Sequence, residues 1–176
     1  MKILSFLMQD SLVQVSSSNT GDVDRDLIVS RLNYIKSQEN FEWVYSHKVH
    51  YLNIPISFDI ETSSFYEGVA KKAIMYIWTC NVNGTTFIGR TWKQFTQLLD
   101  IMSEVFELIR YNKRCLIYVH NLEYEFQFMR KWFDWHDIFA DDKRQPLYAV
   151  TKGGVEFRCS YRLSGYSLAK LADELR

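Results

Sequence analysis

Proline and glycine are scarce in this chain, with 2 Pro and 7 Gly among 176 residues. That excludes a Pro- or Gly-rich linker and argues against disorder. Cysteine is scarce too. Cys80, Cys115 and Cys159 lie far apart with no Cys-x-x-Cys, which excludes a disulfide framework and a Cys-rich zinc site. They read as reduced core thiols of a cytosolic protein. Excess charge is absent, since Lys+Arg and Asp+Glu both number 21. A dedicated non-specific DNA binder usually carries a basic excess, so neutrality weighs against a stand-alone nuclease without excluding a local basic groove. No apolar run is long enough to cross a membrane, and the apolar start Met1–Met8 is too short and lacks a cleavage site for a signal peptide. What the chain has in quantity is apolar and aromatic: 47% hydrophobic, with 12 Phe, 11 Tyr and 5 Trp. That suffices for one well-cored domain, or a domain with an N-terminal extension.

Periodicity gives the elements. Ser16–Gly21 is a loop. Asp22–Gln38 carries Leu27, Ile28, Leu32 and Ile35 at helical spacing behind Asp22, Asp24 and Asp26. Phe41–Leu52 alternates as a strand. Ile54–Asp59 is a strand entering the middle of a sheet. Ala73–Cys80 and Thr85–Gly89 flank Asn83-Gly84, a strong hairpin signal. Trp92–Tyr111 is a long helix, with Phe95, Leu98, Leu99, Met102, Phe106 and Ile109 on one face. Leu116–Asn121 is near-continuously apolar to Val119, which predicts a strand buried on both faces. It runs into a helix over 122–132, with Asn121 as N-cap candidate. Tyr148–Arg158 turns at Gly153-Gly154 as a second hairpin, and Ser167–Arg176 is a final helix.

Asp59-Ile60-Glu61-Thr62 carries the chemistry. Residues two apart on a strand share a face, so Asp59 and Glu61 project together near the strand's end. Two carboxylates that close repel unless a cation lies between them, and hard oxygen ligands suit Mg²⁺ or Mn²⁺. Such an ion can activate water and steady a phosphodiester under attack. An Asp-x-Glu pair also serves as solvated acid. Glu125 falls in the first turn or so of its helix, where the dipole favours a carboxylate; dipole partner and metal ligand both fit it. Asp141-Asp142, followed by Lys143-Arg144, reads as a solvated loop. Asp173-Glu174 are weak candidates for a further ligand. His47 and His136 have no partner visible in sequence, and Trp132-Phe133-Asp134-Trp135 reads as core or interface.

Two segments taken together carry a resemblance. Asp59-Ile-Glu-Thr62, followed by Tyr118-Val-His-Asn-Leu-x-Tyr-Glu-x-x-Phe128, resembles the first two exonuclease motifs of family-B DNA polymerases. The protein-primed bacteriophage and plasmid branch is the nearest in look. Phe157–Ala172 resembles the stretch that follows in those polymerases, and the match spans about residues 54–176. The resemblance implies an α/β, RNase H-like fold of the DnaQ exonuclease type, a mixed sheet flanked by helices over 51–176, with residues 1–50 as an unmatched N-terminal extension. It implies Asp59, Glu61 and Glu125 as catalytic and metal-holding residues for Mg²⁺ or Mn²⁺. Thr62, Tyr118, His120, Asn121 and Phe128 match positions that hold a single-stranded DNA 3′ end. His120 also suits a half-buried strand residue with one hydrogen bond, and Phe128 suits core packing.

The chain departs from the family in two places. Glu125 stands where the family has Asp, one methylene longer. A third motif, Tyr-x-x-x-Asp on a later helix, does not occur before Arg176. The implied function is a phage- or mobile-element-derived 3′→5′ exonuclease-like domain with weak or no turnover. The alternative is a binding protein that kept the fold and inhibits a host nuclease or defence ribonucleoprotein, an anti-CRISPR for example. A bacterial host cytoplasm is the expected location in either case.

Overall fold

A computed structural model describes residues 11–16, 21–109, 112–143 and 145–174. The apolar start Met1–Met8 and most of the Ser16–Gly21 loop lie outside them. The described chain is a mixed α/β structure, a large sheet flanked by helices. Its strands are β1 (Ser11–Gln14), β2 (Trp43–Ser46), β3 (Val49–Leu52), β4 (Ile56–Glu67), β5 (Ala70–Val82), β6 (Thr85–Gly89), β7 (Lys113–Val119), β8 (Trp135–Ala140), β9 (Pro146–Thr151) and β10 (Val155–Cys159). Helices α1 (Arg25–Lys36), α2 (Trp92–Val105), α3 (Leu122–Met129), α4 (Ser160–Ser164) and α5 (Leu168–Glu174) complete it.

The main path through the sheet is β1-β6-β5-β4-β7-β10-β9-β8. Strand β4 is therefore interior, antiparallel to β5 and parallel to β7, and β7 is parallel to β10. One edge of β7 is shared: β3 pairs with Lys113–Cys115 and β4 with Tyr118–Val119. The chain breaks between β3 and β4 at Pro55, which has no N–H to give to a ladder.

Local chemistry explains the elements. Asp24 caps α1 by accepting from the Leu27 N–H at 3.0 Å, and Ile28, Leu32 and Ile35 form its buried stripe. Thr91 and Gln94 form a reciprocal capping box on α2. Asn83 and Gly84 both take positive φ, as a type I′ hairpin turn needs. Gly89 is required, because a Cβ there would sit 2.3 Å from the Trp78 ring. The core lies between the sheet and α1 and α2. Phe95 is at its centre, stacked on Phe58 at 4.3 Å and touching Trp78, Trp92, Phe133 and Phe157. Val13, Val15, Ile28, Leu32 and Ile35 join the same core, so the first fifty residues add a strand and a helix to it.

Several expectations are corrected. The single strand over 41–52 is a hairpin, since His47 and Lys48 both adopt positive φ and turn the chain. Helix α2 stops at Val105; Glu107 takes a positive φ and Ile109 is exposed. In β7, Cys115, Ile117 and Val119 are buried but Leu116 and Tyr118 are half-buried, so only one face is packed. The neighbouring half-buried Arg114 and Arg158 hold the buried Glu156 at 3.0 and 2.6 Å on the other face, which is polar. The core reading of the 132–135 cluster holds for Phe133 and Trp135, which pack on Phe157 as the stretch leads into β8. The cysteines are buried and free, and burial pushes the Cys115 thiol up to about 12. Among the described residues no helix is long and apolar enough to cross a membrane.

Candidate functional site

The position of Asp59 follows from where the sheet narrows. Pairing of β4 with β7 ends at Phe58. Strand β4 nevertheless continues, paired only with β5, to Glu67. Asp59 and Glu61 are thus not at a strand end but at the root of a two-stranded arm. Alternation puts both on the exposed side, while Phe58 and Ile60 face the core. A bulge follows between Glu61 and Thr62, of the kind that re-aims side chains next to functional sites.

Helix α3 starts where β7 ends and brings Glu125 in. Leu122, Glu125 and Met129 are its buried residues. The spacing of three and then four puts this carboxylate in the helix's apolar stripe. Glu125 is 5% exposed, and its Oε2 is buried with no hydrogen-bond partner among the described residues. Burial, reinforced by the Asp59 carboxylate, pushes its pKa up to about 7. A buried acceptor without a donor costs stability unless a proton or a cation supplies the missing contact.

Asp59 is near enough for its charge to bear on Glu125, and no hydrogen bond joins the two among the described residues. Glu61 lies exposed on the same side of β4 as Asp59, but among the described residues no three His, Cys, Asp or Glu side chains are gathered as a metal site. Two carboxylates suit the sparse protein ligation of Mg²⁺, which keeps waters and takes further oxygens from substrate phosphates. The orphaned Oε2 of Glu125 is the observation that fits a cation here.

The remaining candidates scatter around this point. Thr62 Oγ1 hydrogen-bonds the Tyr124 hydroxyl at 2.6 Å, tying the arm's root to α3. Phe128 packs edge-on against Tyr124 at 5.2 Å and is half-buried. Tyr118 is half-buried and pairs in register with Ser57, on the Asp59 side of the sheet. His120 Nδ1 meets Ser160 Oγ at 3.3 Å, and its ring packs edge-on against Tyr161. Asn121 occupies the N-cap position of α3 but does not cap it: its backbone is left-handed, φ 67° and ψ 56°, and its side chain makes no capping bond. Asn tolerates that conformation better than most residues. Asp141 is spent on its own loop, accepting from the Lys143 and Gln145 N–H groups and from Arg162. Asp173 and Glu174 lie on α5. His47 Nδ1 meets Ser46 Oγ in the β2–β3 turn, and His136 is exposed on β8. Tyr124 was missed from sequence; its signal is the Tyr124–Phe128 spacing of four, which puts both rings on one helix face.

No known family model matches the chain, and no curated protein matches it significantly.

Proposed function

We propose that this chain is a 3′→5′ exonuclease-type domain that binds the 3′ end of single-stranded DNA and turns over slowly. The orphaned Oε2 of Glu125, within electrostatic reach of Asp59, carries the reading. The succession of a β4–β5–β6 meander, α2, β7 and α3 supports it, since that is the order of an RNase H-like fold. Asp59 and Glu125 would hold Mg²⁺ or Mn²⁺, with Glu61 reaching it directly or through water. When bound, such an ion supplies an activated water and neutralises charge on the phosphodiester. The chain's own residues position the strand. The Thr62–Tyr124 pair fixes the arm against α3, and Phe128 offers a ring face to a base. His120 and Asn121 lie at the end of β7, where a terminal sugar and phosphate would be held.

Slow turnover follows from the carboxylates. Glu125 is about half protonated near neutrality and so only part-time a ligand. Loss of one positioned group commonly costs about 10²–10³-fold in rate. A 5′-labelled single-stranded oligonucleotide with Mg²⁺ or Mn²⁺ should shorten slowly, one nucleotide at a time, from its 3′ end. The Asp59→Ala/Glu61→Ala variant should not shorten it. Identical, metal-independent patterns for both chains would sink the nuclease reading.

A second reading, a binding protein that inhibits a host nuclease or ribonucleoprotein, is favoured by the arm beyond Glu61. Its Tyr66 and Val69 are 72% and 103% exposed, an apolar surface suited to a protein partner. Absence of cleavage would leave that reading standing.

A further inference from the structure

Beyond Glu61 and Ile77, β4 and β5 pair only with each other and turn at Gly68-Val69. At about 3.3 Å per residue, Thr62–Glu67 reaches about 20 Å. The tip of this arm carries the exposed side chains of Tyr66 and Val69 and one acid, Glu67. Glu67 meets Lys72 in an exposed ion pair, a contact of little worth in water. Between the arm and α3, on the core side of the sheet, lies a groove of about 580 Å³. Lys71, Met75, Phe128, Lys131 and Trp132 line it, and no acidic side chain does. Neither lysine pairs with a carboxylate among the described residues, and Trp132 is 45% exposed although large and apolar. Tip and groove are therefore complementary: an acid and bare apolar side chains against two cations and two rings.

We propose that the groove is filled by a second copy of this chain. Two copies dimerise about a two-fold axis, each laying its arm tip in the other's groove. Glu67 of one copy meets Lys131 of the other, and Val69 packs against Trp132. A chain's own tip cannot enter its own groove, because the arm is one of the walls. A two-fold axis fills both grooves with one contact made twice. Zero net charge removes the self-repulsion that keeps charged proteins monomeric. Edge-to-edge pairing of the arms is the competing arrangement, and charge opposes it. Two β4 edges would bring Asp59, Glu61 and Glu67 alongside the same acids, and two β5 edges would bring Lys71 and Lys72 alongside the same lysines. A two-stranded ribbon is only marginally stable by itself, and the partner's α3 supplies the packing that this one lacks. The dimer goes beyond the exonuclease reading and needs neither metal nor DNA.

The test is sedimentation velocity over a concentration series, in EDTA and without nucleic acid, with circular dichroism to check that each variant is folded. Wild-type chain should pass from monomer to dimer. Glu67→Lys and Lys131→Glu should each weaken dimerisation at least about tenfold, because each sets like charges together twice in the dimer. Mixed one to one, the two variants should pair about as tightly as wild type. The two reversed charges then meet each other at one contact, and the native Glu67–Lys131 pair survives at the other. Trp132→Ala should weaken the dimer at least about tenfold, as loss of a central aromatic does. Lys48→Glu, in the β2–β3 turn, makes the same charge change as Lys131→Glu and should dimerise as wild type. A wild-type chain that stays monomeric at every concentration overturns the proposal. So does unaltered dimerisation in both charge reversals, a mixture no tighter than its two parts, or an equal loss in Lys48→Glu. Cleavage does not enter the readout, so failure of the exonuclease reading would leave the dimer standing, and a monomer would leave that reading untouched.

Discussion

Glu125→Gln is expected to gain stability over the wild-type chain as pH rises, by on the order of 3 kcal/mol between about pH 4 and pH 8. The sign follows from proton counting. In the folded chain Glu125 keeps its proton up to about pH 7, against an ordinary value of 4.5. Between those values the folded state binds more protons than the unfolded one, so wild-type stability falls as pH rises through that window and stays low above it. The neutral amide has no such loss. Urea unfolding of both chains at the two ends of the range measures the difference directly; parallel behaviour would mean that Glu125 is solvated. Excess Mn²⁺ should offset most of that difference at about pH 8, adding about 2.7 kcal/mol to the wild type at a hundred times its Kd and nothing comparable to the variant.

Phe95→Ala is expected to cost about 3–5 kcal/mol, the range for deleting a large core aromatic. Phe95 is fully buried and packs against five aromatic rings drawn from β4, β5, α2, β10 and the segment before β8. No single neighbour can close the space, because each is anchored in a different element. A loss of that size approaches the whole stability of a domain this small. The expected result is a large drop in denaturation midpoint, or an unfolded chain by circular dichroism. A change below about 1 kcal/mol would mean that the aromatic cluster repacks freely.

The sequence was most legible where local chemistry sets the backbone. Asp24, the Thr91–Gln94 box and Asn83-Gly84 each act within four residues; the Asn83-Gly84 hairpin falls where its pattern predicts, and the helices that Asp24 and Thr91 open start near where the periodicity does. It was least legible where the decision is tertiary. His47-Lys48 contains no Gly or Asn, so nothing local announced its turn; pairing of β3 with β7 accompanies it. The apolar run of β7 resembles a doubly buried strand, yet the neighbouring Arg114, Glu156 and Arg158 form a polar network on one face. Strand β4 continues past Asp59 because β5 supplies its hydrogen bonds, which hydrophobic patterning cannot report for an arm exposed on both sides.

The candidate site divides in the same way. Shared orientation of Asp59 and Glu61 follows from the strand's period alone. The burial of Glu125 was written in the Leu122–Glu125–Met129 stripe, whereas its place in the first turn fitted a dipole partner and a metal ligand alike. The capping role of Asn121 failed because a left-handed backbone turns its side chain away from the helix's first amides.

The most direct test of the account is Mn²⁺ binding followed by electron paramagnetic resonance at about pH 8. The account predicts that wild-type chain quenches the free-ion signal, and that Asp59→Asn/Glu125→Gln binds at least about tenfold more weakly, because the ion then lacks its protein ligands. Equal quenching by both chains, or none by the wild type, would contradict it.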